Sequence, residues 1–142
     1  MKQGINREHR HDVEFQVSAR GVSSDALSAV LGAVPDEAWD EGEIFHRPHS
    51  GEARRHRFTR WAIVEHAADG AGLESALVRL VDRAKSFRGT LALLPPEAEV
   101  SLKFMVTSPD AVMGFYLDRG IVKALAELGC DIDMSIVYGG EP

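Results

Sequence analysis

The chain has 142 residues, of which 44% are apolar and 27% charged, and these values are typical of one soluble globular domain. Its net charge of −6 disfavours nucleic acids and anionic membranes as partners, because both attract positive surfaces. A single cysteine, Cys130, excludes an intrachain disulfide, as expected in the reducing cytoplasm. No stretch resembles a signal peptide or a span of about 20 apolar residues, so we expect a cytoplasmic protein without a membrane partner.

The chain begins with a polar segment, residues 1–11, which we expect to be a flexible N-terminal tail. From position 12 to 19 apolar and polar residues alternate, and this period of two predicts a half-buried strand. Ser23 or Ser24 can cap the helix that follows, and Gly32 can end it.

A reversal of charge is the most informative feature of the sequence. Residues 36–43 contain five carboxylates, and residues 46–60 contain five arginines and a single acid, a net charge of +4. The rest of the chain outside the basic segment has 11 basic and 21 acidic residues, a charge of −10. The basic segment is therefore the candidate for a working surface.

The same region is expected to form a hairpin. Residues 38–45 are predicted as a strand with a bend at Gly42, and residues 57–64 as a second strand. Proline, serine and glycine between them predict a loop at 46–53. The two segments of opposite charge would then face each other.

The second half of the chain contains the longest predicted helix. Apolar residues recur at helical spacing over residues 73–87, and Gly89 can end that helix. Alternation predicts strands at 100–106 and 131–138. Between them, residues 118–129 are expected to form a third helix with an aspartate cap and a terminal glycine.

This order of elements predicts the α+β class. We expect one mostly antiparallel, twisted sheet of about five strands with the helices on one face, and a ferredoxin-like sandwich fits this description best. Residues 12–138 are expected to form a single domain, followed by a short C-terminal tail at 139–142.

Several of these pieces, in this order, resemble one bacterial protein family. They are the strand and capped helix VSARGVSSDALSAVLGAVP, the element WDEG, the strand around Trp61, the long helix, and the ending GIVKALAELGCDIDMSIVY. Over about residues 12–138 the chain is similar to the uncharacterised domain-of-unknown-function family numbered 4279. The resemblance implies a small α+β domain with no established activity to carry over.

The arginines of the basic segment are the main candidates for a binding site. Guanidinium groups suit phosphates, carboxylates and stacked bases. The predicted contacts to an anion or an acidic partner are Arg54, Arg55, Arg57 and Arg60, and the predicted apolar anchors are Trp39, Phe58 and Trp61. An internal alternative is that the preceding carboxylates neutralise these arginines across the hairpin, at roughly 0.2–1 kcal/mol per pair.

Metal and nucleophile chemistry have little support in the sequence. His46, His49 and His56 could bind zinc, but the arginines around them repel a dication, so we predict neither a metal nor another cofactor. Cys130 begins a predicted strand and is expected to be a structural thiol. We therefore predict no catalytic residue.

The sequence favours a non-enzymatic binding or protein-interaction module that uses the arginine-rich hairpin, with a protein or a small anionic ligand as its partner. An immunity-protein-like role fits a small acidic domain, and a homodimer is left open. The alternative is a small-molecule enzyme with an acid/base site on the sheet face. Asp131 and Asp133 share one face of the last strand about 7 Å apart, as an acid pair or as a solvated surface.

Overall fold

A computed structural model describes residues 11–67, 70–87, 89–108 and 117–138 of the chain. The strands are β1 His11–Ala19, β2 Glu37–Trp39, β3 Ile44–His46, β4 Ala53–Arg55, β5 Thr59–Ala67, β6 Glu99–Ser108 and β7 Asp131–Tyr138. The helices are α1 Ser24–Leu31, α2 Gly70–Ala84 and α3 Arg119–Leu128, with short 3-10 turns at Lys85–Phe87 and Leu91–Leu93. The predicted tails at 1–11 and 139–142 lie outside the described residues, except that His11 begins β1.

The main sheet has five strands in the order β2-β5-β1-β6-β7. The central strand β1 pairs antiparallel with β5 and β6, and β2 pairs antiparallel with β5. Strands β6 and β7 are parallel, because helix α3 carries the chain back between them. The predicted α+β class and mostly antiparallel five-stranded sheet are confirmed. The ferredoxin-like detail is not confirmed, since the described elements do not follow the β-α-β-β-α-β order of that fold.

Alternation along the strands separates an apolar face from a polar face. Val13, Phe15 and Val17 of β1 are completely buried, and Trp61 and Ile63 of β5 lie beside them on the same face. All three helices contribute to this core through Leu27, Leu31, Leu73, Leu77, Leu80, Val81, Leu125 and Leu128. The helices therefore cover one face of the sheet, as predicted.

The ends of the first and third helices follow directly from local sequence. The Ser23 hydroxyl accepts the backbone N–H of Ala26 at 3.1 Å, and the Asp118 carboxylate caps α3 in the same way. Gly32 and Gly129 end these helices with φ of 70° and 67°, a left-handed conformation that glycine adopts without steric cost. Both predicted pairs of caps are confirmed.

Strands β2 and β5 continue into β3 and β4 as one bent hairpin. Trp39 pairs with Arg60 in the main sheet, and six residues further along each strand Phe45 pairs with Arg54. Both ladders thus share one register, and no residue is inserted between them. Gly42 lies at the bend with φ of 87°, where the sequence predicted it.

The part of the hairpin beyond the main sheet, residues 40–58, is called the arm below. In the described part of the chain, β3 and β4 pair only with each other. The ladder stays closed through the bend, because His56 N–H donates to the Glu43 carbonyl at 3.0 Å and Gly42 N–H donates to the His56 carbonyl at 2.8 Å. The arm is therefore a defined two-stranded ribbon.

Ion pairs tie helix α2 to the sheet. Arg79 Nε lies 2.9 Å from Glu65 Oε1, and Arg83 Nη1 lies 3.0 Å from Glu65 Oε2. Arg83 Nη2 also lies 3.0 Å from Asp36 Oδ2, just before β2. Burial raises the pKa of Glu65. The hydrogen bonds and charges of the two arginines lower this pKa by a larger amount, so it lies below its usual 4.5.

This lowered pKa predicts a loss of stability in acid. A carboxyl with a depressed folded-state pKa stabilises the fold above its unfolded pKa, and that contribution disappears as the pH falls through the folded pKa. We expect Glu65→Gln to lower the free energy of unfolding by about 1–2 kcal/mol near pH 7, because two charge-assisted hydrogen bonds weaken. Urea unfolding at several pH values should show this difference shrinking below about pH 4. An unchanged difference would contradict the prediction.

Candidate functional site

The predicted contact residues divide into two groups in the structure. Four of them are exposed on the arm, namely Arg54, Arg55, Arg57 and Phe58. Trp39 is half-buried next to the base of the arm, whereas Arg60 and Trp61 are buried in the main sheet. The predicted set therefore does not form one surface.

Arg60 is engaged within the fold on the polar face of the sheet. Its Nη2 contacts the Glu14 carboxylate, its Nη1 lies 3.0 Å from Glu37 Oε1, and its Nε donates to Gln16 Oε1 at 2.9 Å. The guanidinium carbon lies 5.0 Å from the centroid of the Trp39 ring, a cation–π contact. Only 7% of Arg60 is exposed. The prediction of Arg60 as a partner contact is corrected here, because all three guanidinium nitrogens have partners in the fold.

Trp61 belongs to the core. It is completely buried, its Nε1 donates to the Ser28 hydroxyl at 3.0 Å, and its ring meets Phe87 edge-on with centroids 5.6 Å apart. The prediction of Trp61 as an apolar anchor on the surface is corrected for this reason. Its position next to Arg60 in a strand places it on the opposite face, toward the helices.

Three stacked rings join the arm to the main sheet. The His56 ring lies 4.0 Å from the Trp39 ring at 8° and 4.2 Å from the Phe45 ring at 18°. Two near-parallel rings at these distances fit only on opposite faces of an imidazole, so His56 is sandwiched. Trp39 Nε1 also donates to the Phe58 carbonyl at 3.0 Å. Phe45 was not singled out in the sequence and His56 was considered only as a zinc ligand, although their alternation in a hairpin places both on the face of Trp39.

The exposed arginines of the arm have few partners. Arg54 pairs with Glu52 of the neighbouring turn, with Nε 3.1 Å from the carboxylate. Arg55 Nη1 donates to the Gly42 carbonyl at 2.8 Å. Arg57 has no ion pair or side-chain hydrogen bond in the described residues. Most of the N–H donors of these three groups have no protein acceptor among the described residues.

The preceding carboxylates bind backbone groups of the main domain and of the hairpin itself. Asp40 Oδ1 accepts the N–H of Ser24 at 2.7 Å, and Glu41 Oε1 accepts the N–H of Gly21 at 2.8 Å. Glu43 accepts a backbone N–H within the bend. The neutralisation of the arginines by these acids is therefore absent from the described contacts, apart from the pair between Arg60 and Glu37.

A second feature, an open cavity of about 510 Å³, lies on the polar face of the sheet. It is lined by Gln16, Ser18, Ala19, Arg20, Phe58, Glu97, Glu99, Ser101, Lys103, Asp131 and Asp133. Its six charged side chains have no ion pair or hydrogen bond within the described chain. The structure thus brings Asp131 and Asp133 together at a concave site, which alternation alone left open as a solvated face.

The other candidate residues of the sequence are Cys130, His46 and His49. Cys130 is half-buried, and burial, aided by the charge of Asp131, raises the pKa of its thiol, which makes it a weak nucleophile near neutral pH. His46 and His49 are exposed on the arm. Among the described residues, no three His, Cys, Asp or Glu side chains converge as metal ligands. No helix of the described chain is long and apolar enough to cross a membrane.

Comparison with known proteins places this chain in a family. The family model described as "Domain of unknown function (DUF4279)" matches residues 7–139. The chain belongs to the DUF4279 family. This match confirms the resemblance found in the sequence, and it spans β1, the arm, the three helices and β7. No curated protein and no solved structure matches the chain.

Proposed function

We propose that this DUF4279 chain is a non-enzymatic protein-interaction module that binds an acidic partner through its arm. The contacts would be the guanidinium groups of Arg54, Arg55 and Arg57, with Phe58 as an apolar neighbour at the base of the arm. Arg60 and Trp61 would hold the arm in place from within the sheet. This assignment includes the expected cytoplasmic location, where a single unpaired cysteine is common.

One observation carries this proposal. Arg54, Arg55 and Arg57 are exposed on a ribbon that pairs only with itself among the described residues, while three carboxylates of the same ribbon accept backbone N–H groups. Residues 40–58 carry four arginines and four carboxylates, so the arm is neutral as a whole, and its positive charge is local to the three arginines of residues 53–57. Such a local field attracts acidic partners and raises their rate of association.

The stacked rings support a role in recognition because they stiffen the arm. Trp39, His56 and Phe45 form a continuous stack that begins at the sheet and ends on β3. A stiff arm loses little conformational entropy on binding, and such preorganisation raises affinity. Tryptophan and arginine are also enriched among the side chains that contribute most to binding at protein interfaces.

The partner is defined by its chemistry. Guanidinium groups form two parallel hydrogen bonds to carboxylates or phosphates, so an acidic protein surface is the preferred partner and a small anion the lesser one. An immunity-protein-like role, in which a small acidic domain blocks another protein, is consistent with this surface and rests on analogy of size and charge alone.

Replacing Arg54, Arg55 and Arg57 together with alanine tests this proposal. The probe is a fluorescent octaglutamate peptide, titrated at low salt and again at about 1 M salt, where charges are screened within about 3 Å. We expect the wild type to bind at low salt and the triple variant to bind at least tenfold more weakly, a loss of about 1.4 kcal/mol. Inorganic phosphate as a competitor distinguishes a small-anion site from a protein surface.

The matched control removes three other exposed basic side chains, by Lys85→Ala, Arg119→Ala and Lys123→Ala. It changes the net charge by the same amount, and its residues lie on or next to the helices. If this control loses as much octaglutamate binding as the arm variant, only net charge matters and the arm is not the contact site.

The cavity on the polar face gives the alternative, a small-molecule enzyme, one supporting observation. Asp131 and Asp133 do line a concave site of a size that small ligands occupy. However, both aspartates are exposed and the cavity is open, whereas acid–base chemistry is favoured where water is excluded. The binding module remains the function that the contacts favour.

A further inference from the structure

The cavity on the polar face differs in charge from the arm. Four carboxylates, from Glu97, Glu99, Asp131 and Asp133, face two basic groups, from Arg20 and Lys103. None of these six groups is paired in the described chain. On the same sheet face, by contrast, Arg60 is bound by two carboxylates. The cavity therefore holds excess negative charge without an internal partner.

The arm as a whole is neutral by count, but Arg55 and Arg57 form a local positive charge without an ion pair in the described residues. Arg57 has no partner in the described residues, and Arg55 donates only to a backbone carbonyl. The arm extends about 13 Å from Gly42 to His46, at about 3.3 Å per residue of strand, which is far enough to reach into a neighbouring molecule. The cavity volume of about 510 Å³ is sufficient for side chains, though not for a whole ribbon.

We propose that two copies of this chain dock with the arm of each copy against the sheet-face cavity of the other. In this dimer, Arg55 and Arg57 of one copy meet Asp131 and Asp133 of its partner. The inference rests on the proposed function, because it names the acidic partner of the arm as a second copy of this chain. Charge complementarity carries it: two arginines without an ion pair, Arg55 and Arg57, and a cavity with an excess of unpaired carboxylates occur on the same molecule.

Symmetry makes this arrangement self-limiting. In a two-fold dimer both arms and both cavities are occupied, so no further copy can be added. If only one arm docked, the free arm and the free cavity could bind further copies, and the protein would polymerise. Phe58 lines the cavity at the base of the arm, so each docked arm would approach the partner's own arm. The two polar sheet faces would then be brought toward each other, and the helices would remain outside.

Charge reversal tests the docking. The arm variant carries Arg55→Glu and Arg57→Glu, the cavity variant carries Asp131→Lys and Asp133→Lys, and a control carries Arg119→Glu and Lys123→Glu. Sedimentation velocity at low salt is expected to show dimers for the wild type and the control. Each reversal alone should weaken dimerisation at least tenfold, because like charges then meet at both contacts. Circular dichroism melts confirm that the variants are folded.

Mixing the two reversed variants is the decisive step. In a mixed dimer the glutamates of one arm meet the lysines of the other cavity, and the remaining arginines meet the remaining aspartates. We expect the equimolar mixture to form dimers that neither variant forms alone. A mixture that stays monomeric overturns the inference, as does a wild type that is monomeric at low salt or a dimer that neither reversal weakens. A monomeric wild type that still binds octaglutamate through its arm would remove this inference and leave the proposed function standing.

Discussion

Replacing Arg60 with methionine is expected to lower the free energy of unfolding by about 3–5 kcal/mol, because one partner of a buried ion pair is removed. Glu14, 8% exposed, would keep its charge without the guanidinium that contacts it. Urea unfolding measures this loss. Arg57→Met is the matched control, and it should change stability by less than about 0.5 kcal/mol, since Arg57 is exposed.

A double variant separates the lost ion pair from lost packing. Replacing a buried ion pair by apolar residues of similar volume is often neutral, so Arg60→Met combined with Glu14→Leu should recover most of the stability. Glu37, the second carboxylate on Arg60, is half exposed and can be solvated when the arginine is removed. An Arg60→Met variant as stable as the wild type would show that the cluster does not hold the sheet together.

The second large effect is expected at Trp61. Trp61→Ala removes a completely buried ring from the core between the sheet and the helices, and such substitutions cost about 3–5 kcal/mol. The hydroxyl of Ser28 also loses the hydrogen bond from the indole. Thermal unfolding should show a large drop in the midpoint, or an unfolded variant.

Trp39→Ala serves as the comparison for this prediction. Trp39 is half-buried. Its replacement removes the stacking contact with the His56 ring, a cation–π contact and one hydrogen bond, which should lower the free energy of unfolding by about 1–2 kcal/mol in sum. The variant should fold and lose arm stiffness, which would appear as weaker octaglutamate binding. Equal destabilisation by the two tryptophan substitutions would contradict the division into core and arm.

Local patterns in the sequence were sufficient to predict most elements. The alternation of residues 12–19 predicted β1, and the caps at Ser23, Gly32 and Gly129 predicted the ends of two helices, because these signals act within a few residues. The bend at Gly42 followed from the same kind of signal. The parallel pairing of β6 with β7 was harder to predict from local patterns, because it depends on the path that the chain takes through helix α3 between the two strands.

The role of each arginine could not be predicted in the same way. Arg57 and Arg60 look alike in the sequence, yet Arg60 meets Glu14, which is 46 positions away, because both lie on the polar face of neighbouring strands. The carboxylates at the start of the arm looked like natural partners of its arginines, but the backbone N–H groups of Gly21 and Ser24 bind two of them. Long-range register decides these contacts, and register is not visible in a local pattern.

A titration of labelled protein with octaglutamate, followed at each arginine Nε–H by NMR, shows directly whether the arm arginines bind an acidic partner. We expect the Nε–H signals of Arg54, Arg55 and Arg57 to shift with the peptide, while that of Arg60, bound to Gln16, stays in place. Shifts confined to Arg119 at the start of α3, or no shift on the arm at high peptide concentration, would contradict the proposal that the arm arginines are available to an acidic partner.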